Sequence, residues 1–145
     1  MEIFIDKNDD LKSAKGGVYA LGNFDGVHLG HKEIISNVIE ISRSKKIPSG
    51  VLIFDPHPRN YFNPKLDDFI LSDIKTRSYL LGKTKLDFLG ILKFDEAMSN
   101  LSPREFIEKV IKDRVGVSHL IVGYNFRFGK NLSLIHISEP TRRTT

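Results

Sequence analysis

Gly22-Asn-Phe-Asp-Gly-Val-His-Leu-Gly-His31 sets two imidazoles, His28 and His31, three residues apart with Gly30 between them. If a helix begins near Leu29, both rings gather at its amino end, where free backbone N–H groups form an anion site. Gly30 leaves room for a phosphate or nucleotide to approach the backbone. Imidazoles add donors whose protonation responds to a polyphosphate. This chemistry suits stabilising charge on a phosphorus centre rather than cleaving a peptide. Helix capping is the plain alternative for one histidine; two that flank a glycine at a strand-to-helix switch favour a ligand site. Zinc would need a third ligand, for which only His57, His119, His136 or carboxylates remain. The spacing of Gly22, Gly26 and Gly30 is not the dinucleotide fingerprint G-x-G-x-x-G.

Two further stretches carry polar groups on stiff or crowded backbone. In Asp55-Pro-His-Pro-Arg59, prolines on both sides fix φ and stiffen the turn that presents His57, which suits a contact to substrate phosphate; an incidental surface histidine is the alternative. In Gly123-Tyr-Asn-Phe-Arg-Phe-Gly-Lys130, the Asn125 amide could bond a phosphate or the edge of a ring ligand. Phe126 and Phe128 flank Arg127, so either the aromatics or the guanidinium faces the ligand, and at least one phenylalanine belongs to the core.

The elements that must position these residues alternate. Val18–Leu21, Val51–Phe54, Phe88–Phe94 and His119–Gly123 read as strands, and Glu2–Ile5 as an added edge strand. Gly30 to about Lys46 is expected to be a helix, with Ile34, Ile35, Val38, Ile39 and Ile41 on one face, Lys45 and Lys46 at the favourable end of the dipole, and Pro48 as the stop. A second helix is expected from Ser72 to about Lys83. Ser102-Pro-Arg-Glu105 is a capping box with proline at the first helical position, opening a third helix through Phe106, Ile107, Val110 and Ile111. Strands and helices in alternation imply parallel pairing through right-handed crossovers, an α/β, Rossmann-like fold. In such sheets ligands sit beyond the carboxyl ends of the strands, and each of the three motifs follows a strand.

Composition narrows the function class. The chain has 145 residues, 40% hydrophobic and 28% charged, which fits one soluble globular domain. No apolar run approaches a bilayer span, no secretory signal opens the chain, and a cytoplasmic location is the default. With no cysteine, disulfides, thiolate catalysis and cysteine-ligated zinc are excluded. The net charge of +4 is mild, and no basic stripe with interleaved aromatics argues for nucleic acid. A small anionic substrate uses the charge equally well.

The string Gly22 to His31 is similar to the H-x-G-H motif of nucleotidyltransferases, in the longer form of bacterial FAD synthases, the bifunctional riboflavin kinase/FMN adenylyltransferases. Phe54-Asp-Pro-His-Pro-Arg59, Leu101-Ser-Pro-Arg-Glu-Phe106 and Gly123 to Lys130 match that family in order and spacing, so the resemblance covers roughly Val18 to Asn131. It implies a nucleotidyltransferase fold and the transfer of AMP from ATP to FMN, with magnesium bridging phosphate oxygens. It further implies that His28 and His31 hold the ATP phosphates and the transition state, with Gly22, Asn23, Phe24 and Gly30 lining the nucleotide site. His57, Asn125 and Arg127 are the candidates for FMN or its phosphate; no protein metal ligand is expected. Another H-x-G-H nucleotidyltransferase and a non-catalytic nucleotide-binding module are the alternatives.

The chain also departs from that pattern. No Ser/Thr-x-x-Arg motif follows Lys130 and no riboflavin kinase domain is present in these residues, so the fold is expected to be incomplete at its carboxyl end and the kinase reaction to be missing. The eleven residues Leu132 to Arg142 are what a sequencing-library transposase adapter encodes in one frame. The expectation is therefore a partial adenylyltransferase domain over residues 1–131 and a non-native tail over 132–145. A strand from Leu132 to Ile137 is the alternative for that tail.

Overall fold

The computed structural model describes residues 1–5, 12–22, 29–55, 83–122, 127–128 and 133–134. Five parallel strands form its centre: β1 (Glu2–Ile5), β2 (Val18–Leu21), β3 (Ser49–Asp55), β4 (Phe88–Lys93) and β5 (His119–Val122), in the order β1-β4-β3-β2-β5. The architecture is Rossmann-like α/β, as the alternation of elements predicts. The expected helix from Ser72 lies outside the described residues, which resume at Lys83.

Handedness explains which side each connection takes. The chain steps from β2 to β3 through α1 (Leu29–Lys45) and returns from β4 to β5, on the other side of β2, through a second long helix. Right-handed crossovers in opposite directions place those two helices on opposite faces. The cores follow. Val18, Ala20, Val51, Ile53, Leu89 and Ile91 pack with Ile35 and Val38 of α1. Tyr19, Leu21, Leu52, Phe54 and Leu92 pack with Phe106, Val110 and Ile111 of the other helix. The strict alternation of partners along each strand is the period-2 pattern of a sheet buried on both faces.

Helix α1 stops where its sequence says it must. Lys46 takes the left-handed conformation at φ 56°, and the Ile47 N–H reaches back to the Ser42 carbonyl at 3.1 Å, closing a Schellman turn just before Pro48. After β4, Asp95 caps the short α2 (Glu96–Ser99) by accepting from the Met98 N–H at 2.8 Å. The expected capping box is formed: Ser102 Oγ accepts from the Glu105 N–H at 3.1 Å, and Glu105 Oε1 accepts from the Ser102 N–H at 3.0 Å. It opens α3 (Pro103–Glu105), which continues as a π-helix over Phe106–Val115.

That wider winding has a cause in the sequence. The buried residues are Phe106, Val110, Ile111 and Val115. At 3.6 residues per turn they would spread over roughly half the helix circumference. With an i→i+5 repeat of about 4.4 residues per turn they collapse into one stripe. Phe106 anchors it, with its ring 5.7 Å from Phe54, which in turn meets Phe94 edge-on at 5.3 Å.

Candidate functional site

All five strands point their carboxyl ends at one edge, and the strand order makes a switch point there. The chain leaves β2 toward β3 on one side, while β5 flanks β2 on the other. In parallel sheets the carboxyl ends of the two strands that flank such a point are where ligands bind, here β2 and β5. Leu21 and Val122 are register partners at that place. Gly22 follows directly, with its N–H donating to the Leu52 carbonyl at 3.2 Å, so the first residue of the Gly22–His31 string is fixed to the sheet.

Helix α1 begins at the same edge. Leu29, Gly30 and His31 form its first turn, so the motif spans the end of β2 and the start of α1, as the spacing predicts. The first turn carries no acidic residue, and Arg43 and Lys45 lie in the last turn. The positive end of the helix dipole is therefore not offset by a carboxylate of its own first turn, and the opposite end is matched by cations. A helix amino end of this kind, beside a switch point, accommodates phosphate.

The other sequence candidates divide. Gly22, Gly30 and His31 are brought to this edge, the last two as backbone positions. Arg127 opens β6 (Arg127–Phe128), which pairs antiparallel with β7 (Ser133–Leu134). Asn23, Phe24, His28, His57 and Asn125 lie outside the described residues, as do Pro56 and Pro58. β7 falls within the segment that the sequence reading assigns to an adapter.

Two charged residues at the edge escaped the sequence reading as site candidates. Asp55 ends β3 and Lys93 ends β4; both are exposed, and they are register partners. The Asp55 carbonyl accepts from the Phe94 N–H at 3.0 Å, which holds the two strand ends together. The available signal was the break in apolarity at the end of each run. Among the described residues, no three or more His, Asp or Glu side chains gather in a way that could hold a metal.

Away from this edge, the amino ends of the strands are tied by structural polar contacts. Asp87 Oδ2 accepts from the Ser49 N–H at 3.0 Å and lies 3.2 Å from its hydroxyl. Tyr19 donates to the Ala14 carbonyl at 2.8 Å. Burial, and then the negative charge of Asp87, raise the Tyr19 phenol well above its ordinary value.

Residues 10–134 match the sequence model of the FAD synthetase family. The chain is 33% identical over 120 residues to the bifunctional riboflavin kinase/FMN adenylyltransferase of Buchnera aphidicola subsp. Schizaphis graminum, covering 80% of this chain and 38% of that one. It is 36% identical to the protein of the same name from Pseudomonas fluorescens, covering 79% and 37%. The Bacillus subtilis protein of that name is 32% identical, covering 86% and 38%. The chain thus spans a little over a third of the length of these relatives. Among solved structures, the crystal structure described as a macrolide-efflux protein from Streptococcus pneumoniae superposes with a TM-score of 0.76 at 24% identity, over 92% of this chain and 45% of that one. That likeness concerns the fold alone. Among the described residues no helix is long and apolar enough to cross a membrane.

Proposed function

The chain belongs to the FAD synthetase family, and from that membership we propose that it carries the adenylyltransferase chemistry of FAD formation: AMP passes from ATP to FMN, and pyrophosphate leaves. What supports this reading most is one coincidence of sequence and fold. The Gly22–His31 string runs from the carboxyl end of β2 into the amino end of α1, at the switch point of a parallel sheet.

In the proposed reaction an oxygen of the FMN phosphate attacks the α-phosphorus of ATP. The bond from that phosphorus to the β-phosphate oxygen breaks, and no covalent enzyme intermediate is required. Catalysis then rests on holding the two phosphates in line and on neutralising charge that builds on the phosphoryl oxygens. We assign His28 and His31 to the ATP phosphates and the transition state, acting with the free N–H groups of the first turn of α1. Gly22, Asn23, Phe24 and Gly30 would line the nucleotide site. His57, Asn125 and Arg127 are assigned to FMN or its phosphate.

Magnesium, when bound with the triphosphate, would supply charge neutralisation at the phosphates. Asp55, an exposed carboxylate at the edge, offers oxygen donors of the kind magnesium takes, and phosphate oxygens and retained water would complete its shell. A cytoplasmic location accords with this reading. Residues 132–145 are given no role, and their adapter origin is proposed on the sequence alone; a chain ending at Asn131 is expected to take up nucleotide as the full chain does.

The test is product formation. Incubated with ATP and FMN, the chain is expected to yield FAD and pyrophosphate, at a low rate if the family's Ser/Thr-x-x-Arg motif contributes to turnover. Adenylyl transfer to a different phosphorylated acceptor and none to FMN would support another nucleotidyltransferase instead. Nucleotide uptake with no pyrophosphate from any acceptor would support a binding module.

A further inference from the structure

We propose that Lys93 binds the phosphate monoester of the flavin substrate, an inference that rests on the adenylyltransferase reading and goes beyond it. Period-2 alternation fixes which way Lys93 leaves the sheet. Leu89 and Ile91 pack in the core beneath α1, whereas Leu92 and Phe94 pack in the opposite core. Lys93 therefore projects on the α1 face. Asp55 does the same on β3, two residues beyond Ile53. Both side chains stand at the edge where ligands of a parallel sheet bind, and on the face where α1 begins.

Lys93 is the one cation at the carboxyl ends of the five described strands; the others end in Ile5, Leu21, Asp55 and Val122. Its register partner is a carboxylate, yet no ion pair joins these two described residues. The ammonium is thus in place for an external anion and is not neutralised by its neighbour.

Its lateral position selects which anion. The switch point and the amino end of α1 suit the triphosphate, next to β2 and β5. Lys93 stands two strands away from β2, on β4, beyond β3. With neighbouring strands about 4.8 Å apart, that offset is roughly 10 Å at the backbone, so the Lys93 ammonium would meet the attacking phosphate from the β3–β4 side, opposite the triphosphate held beside β2 and α1. Asp55, its partner, is followed in sequence by Pro56-His57-Pro58, whose histidine is already assigned to FMN or its phosphate. A dianionic phosphate gains from a point charge there, and a flavin without phosphate does not.

The experiment compares FMN with riboflavin, which differ by that phosphate, in flavin-fluorescence titrations of the full chain. Lys93→Gln is expected to weaken FMN binding roughly tenfold and to leave riboflavin within about twofold, whereas Lys93→Arg keeps most of the FMN preference. Lys112→Gln, which removes the same charge from an exposed site on the opposite-face helix, is expected to leave the preference unchanged. An FMN-to-riboflavin ratio unaltered by Lys93→Gln, or lowered equally by Lys112→Gln, overturns the assignment. Failure of the unsubstituted chain to take up any flavin overturns the adenylyltransferase reading and this assignment with it.

Discussion

Tyr19 on β2 and Gly50 on β3 are register partners, and the tyrosine ring fills the space that a side chain at position 50 would need. A Cβ there would meet Tyr19 Cδ1 at 2.7 Å and the Phe88 carbonyl at 2.9 Å. Gly17 is constrained in the same way, since its Cβ would lie 2.8 Å from Tyr19 Cε2 and 2.7 Å from the Pro48 carbonyl. The ring is therefore seated between two glycines. Gly50→Ala is expected to destabilise the fold by about 1–3 kcal/mol, the usual cost of overpacking, read as a lower urea midpoint. An unchanged midpoint would mean that the ring can move aside.

Tyr19 also makes stability depend on alkaline pH. Its hydroxyl is buried and bonded to the Ala14 carbonyl, and burial favours the neutral form. The folded-state pKa is thus above the unfolded value of about 10. The stabilisation is fully present below that value and is lost as pH rises through and above it. Tyr19→Phe is expected to cost about 1–2 kcal/mol at neutral pH, because the Ala14 carbonyl loses its donor, and to flatten the stability curve above pH ~10. Parallel alkaline curves for the two proteins would contradict this.

At the acid end the capping box is the sensor. Hydrogen bonds from the Ser102 backbone and side chain, and then from Lys109, hold the Glu105 carboxyl below its ordinary value. Its contribution is present above the unfolded pKa and is lost as pH falls through the depressed folded one. Ser102→Ala is expected to cost about 1 kcal/mol at neutral pH. Its deficit relative to the unsubstituted chain should shrink in acid, followed by circular dichroism during denaturant titration.

If the proposed assignment of His28 holds, His28→Ala is expected to lower FAD formation roughly 100-fold or more, the scale of losing one donor to a developing phosphoryl charge. FAD formed from FMN and ATP is the readout, compared with the unsubstituted chain. An unchanged rate would take His28 out of the mechanism.

The fold was largely legible in the sequence because apolar runs and their punctuation are local. Val18–Leu21 and Glu2–Ile5 emerge with the bounds expected, and α1 differs by one residue at each end. β3 is longer than Val51–Phe54 because Ser49 and Gly50 do not look like strand. Ser49 is held by the distant Asp87 carboxylate, and Gly50 is needed beneath Tyr19. The spacing of Phe106, Val110, Ile111 and Val115 was visible, but a 3.6-residue reading hides that it suits a wider helix. α2 and the 3₁₀ turn Lys12–Ala14 are too short to leave a period. Of the site, the string at the end of β2 announced itself through its histidines and glycines. Lys93 did not, because an isolated lysine acquires meaning only when strand order and alternation show which edge and face it occupies.

The claim on which the functional account depends is that the amino end of α1, at the carboxyl edge of β2, holds a triphosphate. Calorimetric titration of the chain with magnesium ATP, repeated with His31→Ala, tests it most directly. Saturable uptake at one site, weakened roughly tenfold or more by the substitution, is the expected result. No heat of binding to the unsubstituted chain, or equal affinity in the two proteins, would contradict it.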